Sequence, residues 1–255
     1  FVYLNQFPTK KLCIAGKMHC VIDICYLREY NHFTEVTSQD GTALSRLDRK
    51  DGRRMNKEEF SLRLKHACDK VVAAEDMLTD IDSKFGDADH GLTMAKIAGA
   101  IAQAVEEAEG GIQAMLDDAA MAVMVLNGGS AVPLWNTWLD GLQEAAPEGD
   151  EVSTQQLQTM FAHALEALSD ISGAKVGDKT MMDALIPASE AIAAYSGDEA
   201  GLFAAAAQAA QEGAEESKKF VSKFGRAKSY GEKTIGTPDA GAVSMACFFQ
   251  GLAEG

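Results

Sequence analysis

The chain is poor in cysteine, and the cysteines it has form no framework. Its 255 residues hold five. Cys13, Cys20 and Cys25 are spaced seven and five apart, and Cys68 and Cys247 stand alone inside helical patterns. An odd, scattered set excludes the paired staples of a small secreted domain and fits a reducing, cytoplasmic setting. Tight Cys-x2-Cys pairs are absent. This weighs against structural zinc, although His19 and His32 lie near the first three cysteines. The apolar stretch near the N-terminus is broken by Lys17, His19 and Asp23, so it reads neither as a secretory signal nor as a membrane span. Basic residues are also scarce: 23 Lys+Arg against 38 Asp+Glu give a formal net charge of −15. That balance excludes nucleic acid or an anionic membrane surface as the main partner, because both are negative. It leaves room for a small anionic ligand, above all one met through a metal ion. The standard nucleotide signatures are missing as well. No dinucleotide fingerprint occurs, and the glycine-rich run from Gly173 to Thr180 lacks Gly-Lys-Ser/Thr adjacency and a preceding strand.

What is present is unevenly distributed. Hydrophobic residues make up 47% and charged residues 24%, ordinary for a folded protein with one large domain or two small ones. Residues 1–54 hold nine Lys+Arg and six Asp+Glu, a local charge of +3; the remainder carries −18. From Met55 the chain becomes Ala-rich and helical in pattern. Asn56 stands where an N-cap belongs, with Glu59 at N3. A boundary is therefore expected at residue 54, with 1–54 an N-terminal extension outside the domain, upstream of a natural start at Met55, and 55–255 the domain.

Helical periodicity dominates after the boundary. Phe60, Leu64, Ala67, Val71, Ala74 and Leu78 form one apolar stripe. Leu157, Phe161, Ala164, Leu168 and Ile171 form another. The spacing predicts helices at 57–78, 92–108, 112–126, 134–144, 154–171, 179–195, 199–222 and 239–252. No strand is expected. Short connections between eight helices favour antiparallel neighbours, so an all-α, up-and-down assembly is the expected fold class.

Four connecting loops depart from the Ala/Glu/Gln surfaces around them. Asp82-Ser83-Lys84-Phe85-Gly86-Asp87-Ala88-Asp89-His90-Gly91 packs three carboxylates ahead of a helix. Carboxylates suit hard cations, and clustering them costs repulsion without one. The spacing does not fit a calcium EF-hand, and Mg²⁺ shared with phosphate oxygens fits better; a solvated acidic turn is the alternative. Asn127-Gly128-Gly129-Ser130-Ala131-Val132-Pro133-Leu134 can bring backbone N–H groups and a helix N-terminus to a phosphate, or be a plain turn. The third loop runs from Gly173 through Thr180 and Met181 to Asp183. The fourth, Gly225 to Gly241, is polar and carries Arg226, Lys228 and Lys233 in an otherwise acidic region. Long polar loops inside compact domains are usually functional or disordered.

Taken together, these segments resemble the nucleotide-binding L subunit of dihydroxyacetone kinase. The matching pieces are Gly86-Asp87-Ala88-Asp89-His90-Gly91, Gly128-Gly129 with Pro133-Leu134, Gly177-Asp178-Lys179-Thr180-Met181 with Asp183-Ala184-Leu185-Ile186-Pro187, and Gly225-Arg226-Ala227 with Gly231-Glu232-Lys233, Ile235-Gly236, Asp239 and Gly241-Ala242. They keep one order from Met55 almost to the C-terminus. The resemblance implies an eight-helix antiparallel up-and-down barrel with ADP or ATP bound in the loops at one end through two Mg²⁺ ions. It implies Asp82, Asp87 and Asp89 as metal ligands, with Arg226 on the phosphates as the fourth catalytic residue. His90, Gly91, Leu92 and Thr93 would start a helix against the phosphates, a capping role for His90 being the alternative. Gly129, Ser130 and Ala131 would line the β-phosphate. Thr180 and Met181 would lie near the nucleoside, Gly173 would also belong to the nucleotide-binding set, and Asp239 and Gly241 would close the site.

Departures are visible too. The usual Gly-Gly-Ala-Ser-Gly-Pro-Leu reads Gly128-Gly129-Ser130-Ala131-Val132-Pro133-Leu134, and Lys228-Ser229-Tyr230 replaces a Ser-Tyr-aliphatic run. The phosphate grip is therefore expected to differ in detail. The resemblance further implies a separate K subunit that holds the ketose covalently, so that this chain is an incomplete kinase. The acceptor would be dihydroxyacetone or a related short-chain ketose, and the donor either ATP or a phosphotransferase-system protein that recharges bound ADP. A homodimer, or a hetero-oligomer with the K subunit, is expected. Two other readings compete: a nucleotide-sensing regulatory or adaptor protein without transfer activity, motivated by the altered Ser130-Ala131-Val132 loop, and a purely structural helical protein.

Overall fold

The computed structural model describes residues 54–255. The cysteine and histidine set around Cys13, Cys20 and Cys25 lies outside those residues. Among the described residues nine α-helices follow one another: α1 Lys57–Ala73, α2 Glu75–Asp82, α3 His90–Glu107, α4 Ile112–Met124, α5 Ala131–Glu144, α6 Thr154–Ser172, α7 Met182–Ala194, α8 Glu199–Glu216 and α9 Ala240–Glu254. The all-α class expected from the periodicity holds. The small exception is an antiparallel bridge between β1, Met55–Asn56, and β2, Glu151–Val152. Among the described residues no helix is long and apolar enough to cross a membrane.

Caps set several of the boundaries. Asn56 Oδ1 accepts from Glu59 N at 2.8 Å and Asn56 N donates back to Glu59 Oε2, a reciprocal cap on α1. Ser153 and Gln156 do the same for α6. Asp198 caps α8 and Asp239 caps α9. The one long helix expected over 57–78 is instead two. It breaks at Ala74, whose ψ of 2° leaves the helical range, and α2 then runs on to Asp82. Neither Gly nor Pro marks the break. Just after the break α2 is closely packed: Gly91 of α3 lies so near the backbone of Glu75 that a Cβ on it would sit 2.1 Å from the Glu75 oxygen. The helix expected over 199–222 ends at Glu216 in a short 3-10 turn, Ser217–Lys219, and the fourth polar loop holds a kinked 3-10 segment, Arg226–Thr234.

Packing is cyclic. Each helix from α3 onward packs against its successor, α1 packs on α3, and α9 returns to pack on α1. That neighbour order is compatible with a closed antiparallel ring. The interior between these helices is aromatic. Trp138 meets Trp135 at 5.5 Å, Phe248 at 5.5 Å and Phe161 at 6.0 Å, mostly edge to face. Phe161 continues the chain to Phe249 and Phe203. Each such ring contributes about 1.5–3 kcal/mol by leaving water. Cys68 is buried among these helices and Cys247 half-buried. Burial pushes the Cys68 thiol up to about 12, so it is an inert core group. The α6 stripe is buried as expected through Leu168. Ile171, expected to continue it, is 57% exposed, because the helix there has reached the rim of a cavity.

Candidate metal and anion site

A cavity of about 760 Å³ opens where several helix ends and polar loops meet. Alternate helices begin there: His90 of α3, Ala131 of α5, Met181 at the head of α7 and Ala240 of α9 all line it. Asp82 at the end of α2 and Ser172 at the end of α6 line it too. Four helix N-termini lining one space place positive dipole ends there, which favour an anion.

The cation side is built by the loop after α2. Phe85 N and Gly86 N both donate to the Asp82 carbonyl, at 3.1 and 2.6 Å, and this turns the chain. Gly86 packs directly on the Asp82 side chain: a Cβ on it would lie 2.0 Å from Asp82 Oδ1, so the carboxylate would have to shift. Ala88 then adopts a left-handed φ of 59°, which costs a non-glycine residue about 1–2 kcal/mol. The loop brings one carboxylate oxygen each of Asp82, Asp87 and Asp89 within 4.8 Å of one another. Asp82 Oδ2 is buried and has no hydrogen-bond partner. Desolvation, then the charges of Asp87 and Asp82, raises the Asp89 carboxyl above the usual range. An unpartnered buried oxygen and a repelled neighbour both call for a cation, and an all-carboxylate set suits Mg²⁺. Arg226 reaches in from the fourth loop, its Nη2 2.7 Å from Asp87 Oδ2.

Behind these groups stands a polar scaffold. Ser244 Oγ donates to the Gly241 carbonyl at 2.9 Å, so His90 Nε2, 3.2 Å away, donates to the hydroxyl oxygen. Burial lowers the His90 pKa against the pull of Asp82, which keeps the ring neutral. Asp183 is fully buried, and its carboxylate accepts Gly177 N at 2.6 Å and Thr180 N at 2.7 Å, fixing the third loop. Desolvation raises its pKa. Lys179 has a left-handed φ of 61° and is buried, donating to the carbonyls of Ser217 and Thr237. Burial lowers its pKa, while Asp239 and Asp183 act the other way. Asp239 Oδ2 accepts Ala242 N at 2.8 Å, and desolvation pushes its carboxyl up to about 7.

The structure brings most of the singled-out residues together. Asp82, Asp87, Asp89, His90, Thr93, Gly129, Ser130, Ala131, Thr180, Met181, Arg226, Asp239 and Gly241 all line the cavity. Three do not. Gly91 is buried against α2, where it permits helix packing. Leu92 is 48% exposed and points off the wall. Gly173 ends α6 with a left-handed φ of 62°, while its neighbours Ser172 and Ala174 supply the wall. The sequence alone gave no role to Lys179, which ties the third loop to the fourth, nor to Trp135 and Phe224, which supply apolar wall. The lysine's place inside Gly177-Asp178-Lys179-Thr180 was the one available signal.

Residues 84–254 match the DAK2 domain. The chain belongs to the DAK2 domain family. The chain is 36% identical over 72% of its length to an L-erythrulose kinase of Pectobacterium atrosepticum, and 33% identical over 68% to an L-erythrulose 1-kinase of Mycolicibacterium smegmatis. It spans about a third of the length of those relatives, 32% and 31%. It is 28% identical over 73% of its length to the ADP-binding subunit DhaL of the PEP-dependent dihydroxyacetone kinase of Escherichia coli, and covers 91% of that subunit. A crystal structure of the dihydroxyacetone kinase from C. freundii in complex with AMP-PNP and Mg²⁺ superposes with a TM-score of 0.58 at 25% identity, over 87% of this chain and 37% of that one.

Proposed function

We propose that this DAK2 domain is the nucleotide-binding, phosphoryl-donor module of a kinase for dihydroxyacetone or a related short-chain ketose. The observation that carries the reading is the meeting of three carboxylates and Arg226 at a cavity where four helices begin. Carboxylates alone would repel a nucleotide, and helix N-termini alone would not hold a metal. Together they suit a Mg²⁺-bound di- or triphosphate.

In this reading Asp82, Asp87 and Asp89 hold two Mg²⁺ ions. Bound there, the ions would offset negative charge on the phosphates. The N–H groups at Gly129, Ser130 and Ala131 bind phosphate oxygens; the Ser130 side chain makes no cap bond to its own helix, which leaves it free for that role. Arg226 orients the phosphates and balances their charge. Neutral His90 braces the loop through Ser244. Thr180, Met181 and the apolar wall take the nucleoside, and Asp239 and Gly241 close the site beneath it. The ketose is held on a separate K subunit, with which the chain forms a hetero-oligomer, or a homodimer docks. The donor is ATP or a phosphotransferase-system protein that recharges bound ADP. Residues 55–255 form this domain, residues 1–54 lie outside it, and a cytoplasmic setting fits the reading. Erythrulose joins dihydroxyacetone as a candidate acceptor, since two similar proteins are named for it.

The test is phosphorylation of dihydroxyacetone and erythrulose by the chain together with K subunits, supplied either with Mg·ATP or with a phosphotransferase-system donor. Turnover with one pair supports the reading. No turnover with any pair, in a chain that still binds nucleotide, would favour the regulatory adaptor.

A further inference from the structure

Two contacts join the Asp82–Asp89 loop to the Arg226–Thr234 segment. One is the ion pair of Arg226 with Asp87. The other is an edge-to-face packing of Phe85 on Tyr230, with ring centroids 5.2 Å apart at 60°. They lie on the same two loops, yet they differ in what a cation does to them. Asp87 is claimed twice, by Arg226 and by the carboxylate cluster. A cation that draws Asp87 inward weakens its hold on Arg226. The aromatic contact contains no charge and is unaffected.

The local backbone makes that contact matter. Arg226 to Tyr230 lies between Gly225, at φ 60°, and Gly231, at φ 57°, and the segment is kinked at Gly231. The far half is anchored: Thr234 is buried, donates to the Gly231 carbonyl and accepts Ser222 N at 3.1 Å. The near half, which carries Arg226, has the Ser229 hydroxyl bonded back to the Arg226 carbonyl at 2.9 Å, a bond internal to itself. Tyr230 therefore ties this half to the loop that bears the carboxylates.

We infer that Tyr230 is a positioning residue: its ring, packed on Phe85, keeps the Arg226 half-turn over the carboxylate cluster when a metal-bound phosphate competes for Asp87. This rests on the reading of the cavity as a Mg²⁺-nucleotide site. Tyr230 acts through Arg226 and needs its ring, not its hydroxyl.

The experiment is calorimetric titration of the full chain with ADP in Mg²⁺. Tyr230→Ala should weaken binding about two- to tenfold, the range an aromatic pair covers. Tyr230→Phe should bind as the parent does, and Phe85→Ala should reproduce the loss. In an Arg226→Gln background, Tyr230→Ala should cost nothing further. Thermal unfolding of each variant accompanies the titration, and an unchanged Tm assigns the loss to positioning. Parent-like affinity in Tyr230→Ala, or an equal loss in the Arg226→Gln background, overturns the inference while leaving the site reading intact. A parent chain that binds no Mg·ADP overturns both.

Discussion

The aromatic interior of the helical assembly and its open, cavity-lined end obey different rules. In the interior, Trp138, Phe161, Phe203, Phe248 and Phe249 are all buried, and their rings meet at 5.5–6.4 Å. At the open end sit both non-glycine residues with positive φ among those described, Ala88 and Lys179. The unpartnered oxygen of Asp82 is there, together with the raised carboxyls of Asp89, Asp183 and Asp239. Strain and like charge persist only where the surrounding structure holds them in place. The middle supplies the stability that lets the open end keep groups poised for a ligand.

That contrast can be broken from either side. The largest expected effect is in the middle. Trp138→Ala should destabilise the fold by about 3–5 kcal/mol, read by denaturant unfolding, while the protein that remains folded keeps its affinity for Mg·ADP. Asp87→Asn should do the reverse. It should lower Mg²⁺-dependent ADP affinity about 100-fold, read by calorimetry, with Tm unchanged or raised because a repelling carboxylate is gone. If ADP binds Asp87→Asn as tightly as the parent, Asp87 is not a metal ligand.

Asp239 sharpens the comparison through pH. Its carboxyl titrates higher in the folded chain, at about 7, than in the unfolded chain. Its contribution to stability is therefore complete at low pH and is lost as pH rises through about 7. Asp239→Asn keeps the cap on Ala242 N but cannot ionise. Its Tm should match the parent's below pH 4 and exceed it at pH 8; a constant gap across that range would contradict the assignment. The smallest effect belongs to Ala88→Gly, which should stabilise by about 0.5–1 kcal/mol by relieving the left-handed backbone, seen as a slightly higher Tm.

Much of this was legible because it depends on local chemistry. Asn56 with Glu59, and the stripe from Phe60 to Leu78, announce a capped amphipathic helix to anyone reading the residues. Gly86-Asp87-Ala88-Asp89-His90 announces clustered carboxylates at a helix start. What was hidden depends on other parts of the chain. The break at Ala74 has no glycine or proline to mark it, and the helix that follows packs against Gly91, which lies 17 positions further on. Leu92 reads as part of a binding motif, yet it is turned outward by the register of α3. Lys179 reads as a surface lysine, and only its bonds to Ser217 and Thr237 show that it joins two loops beneath the cavity. The pairing of Phe85 with Tyr230 spans 145 positions, beyond what any local pattern can show.

The central claim is that the open end holds a nucleotide through metal-bridged carboxylates. Native mass spectrometry of the full chain, equilibrated with ADP and Mg²⁺ and then with a chelator, tests it most directly. The account predicts a mass increase equal to ADP plus Mg²⁺, lost when the metal is removed. A chain that never takes up nucleotide, or one that keeps ADP unchanged in the chelator, would contradict it.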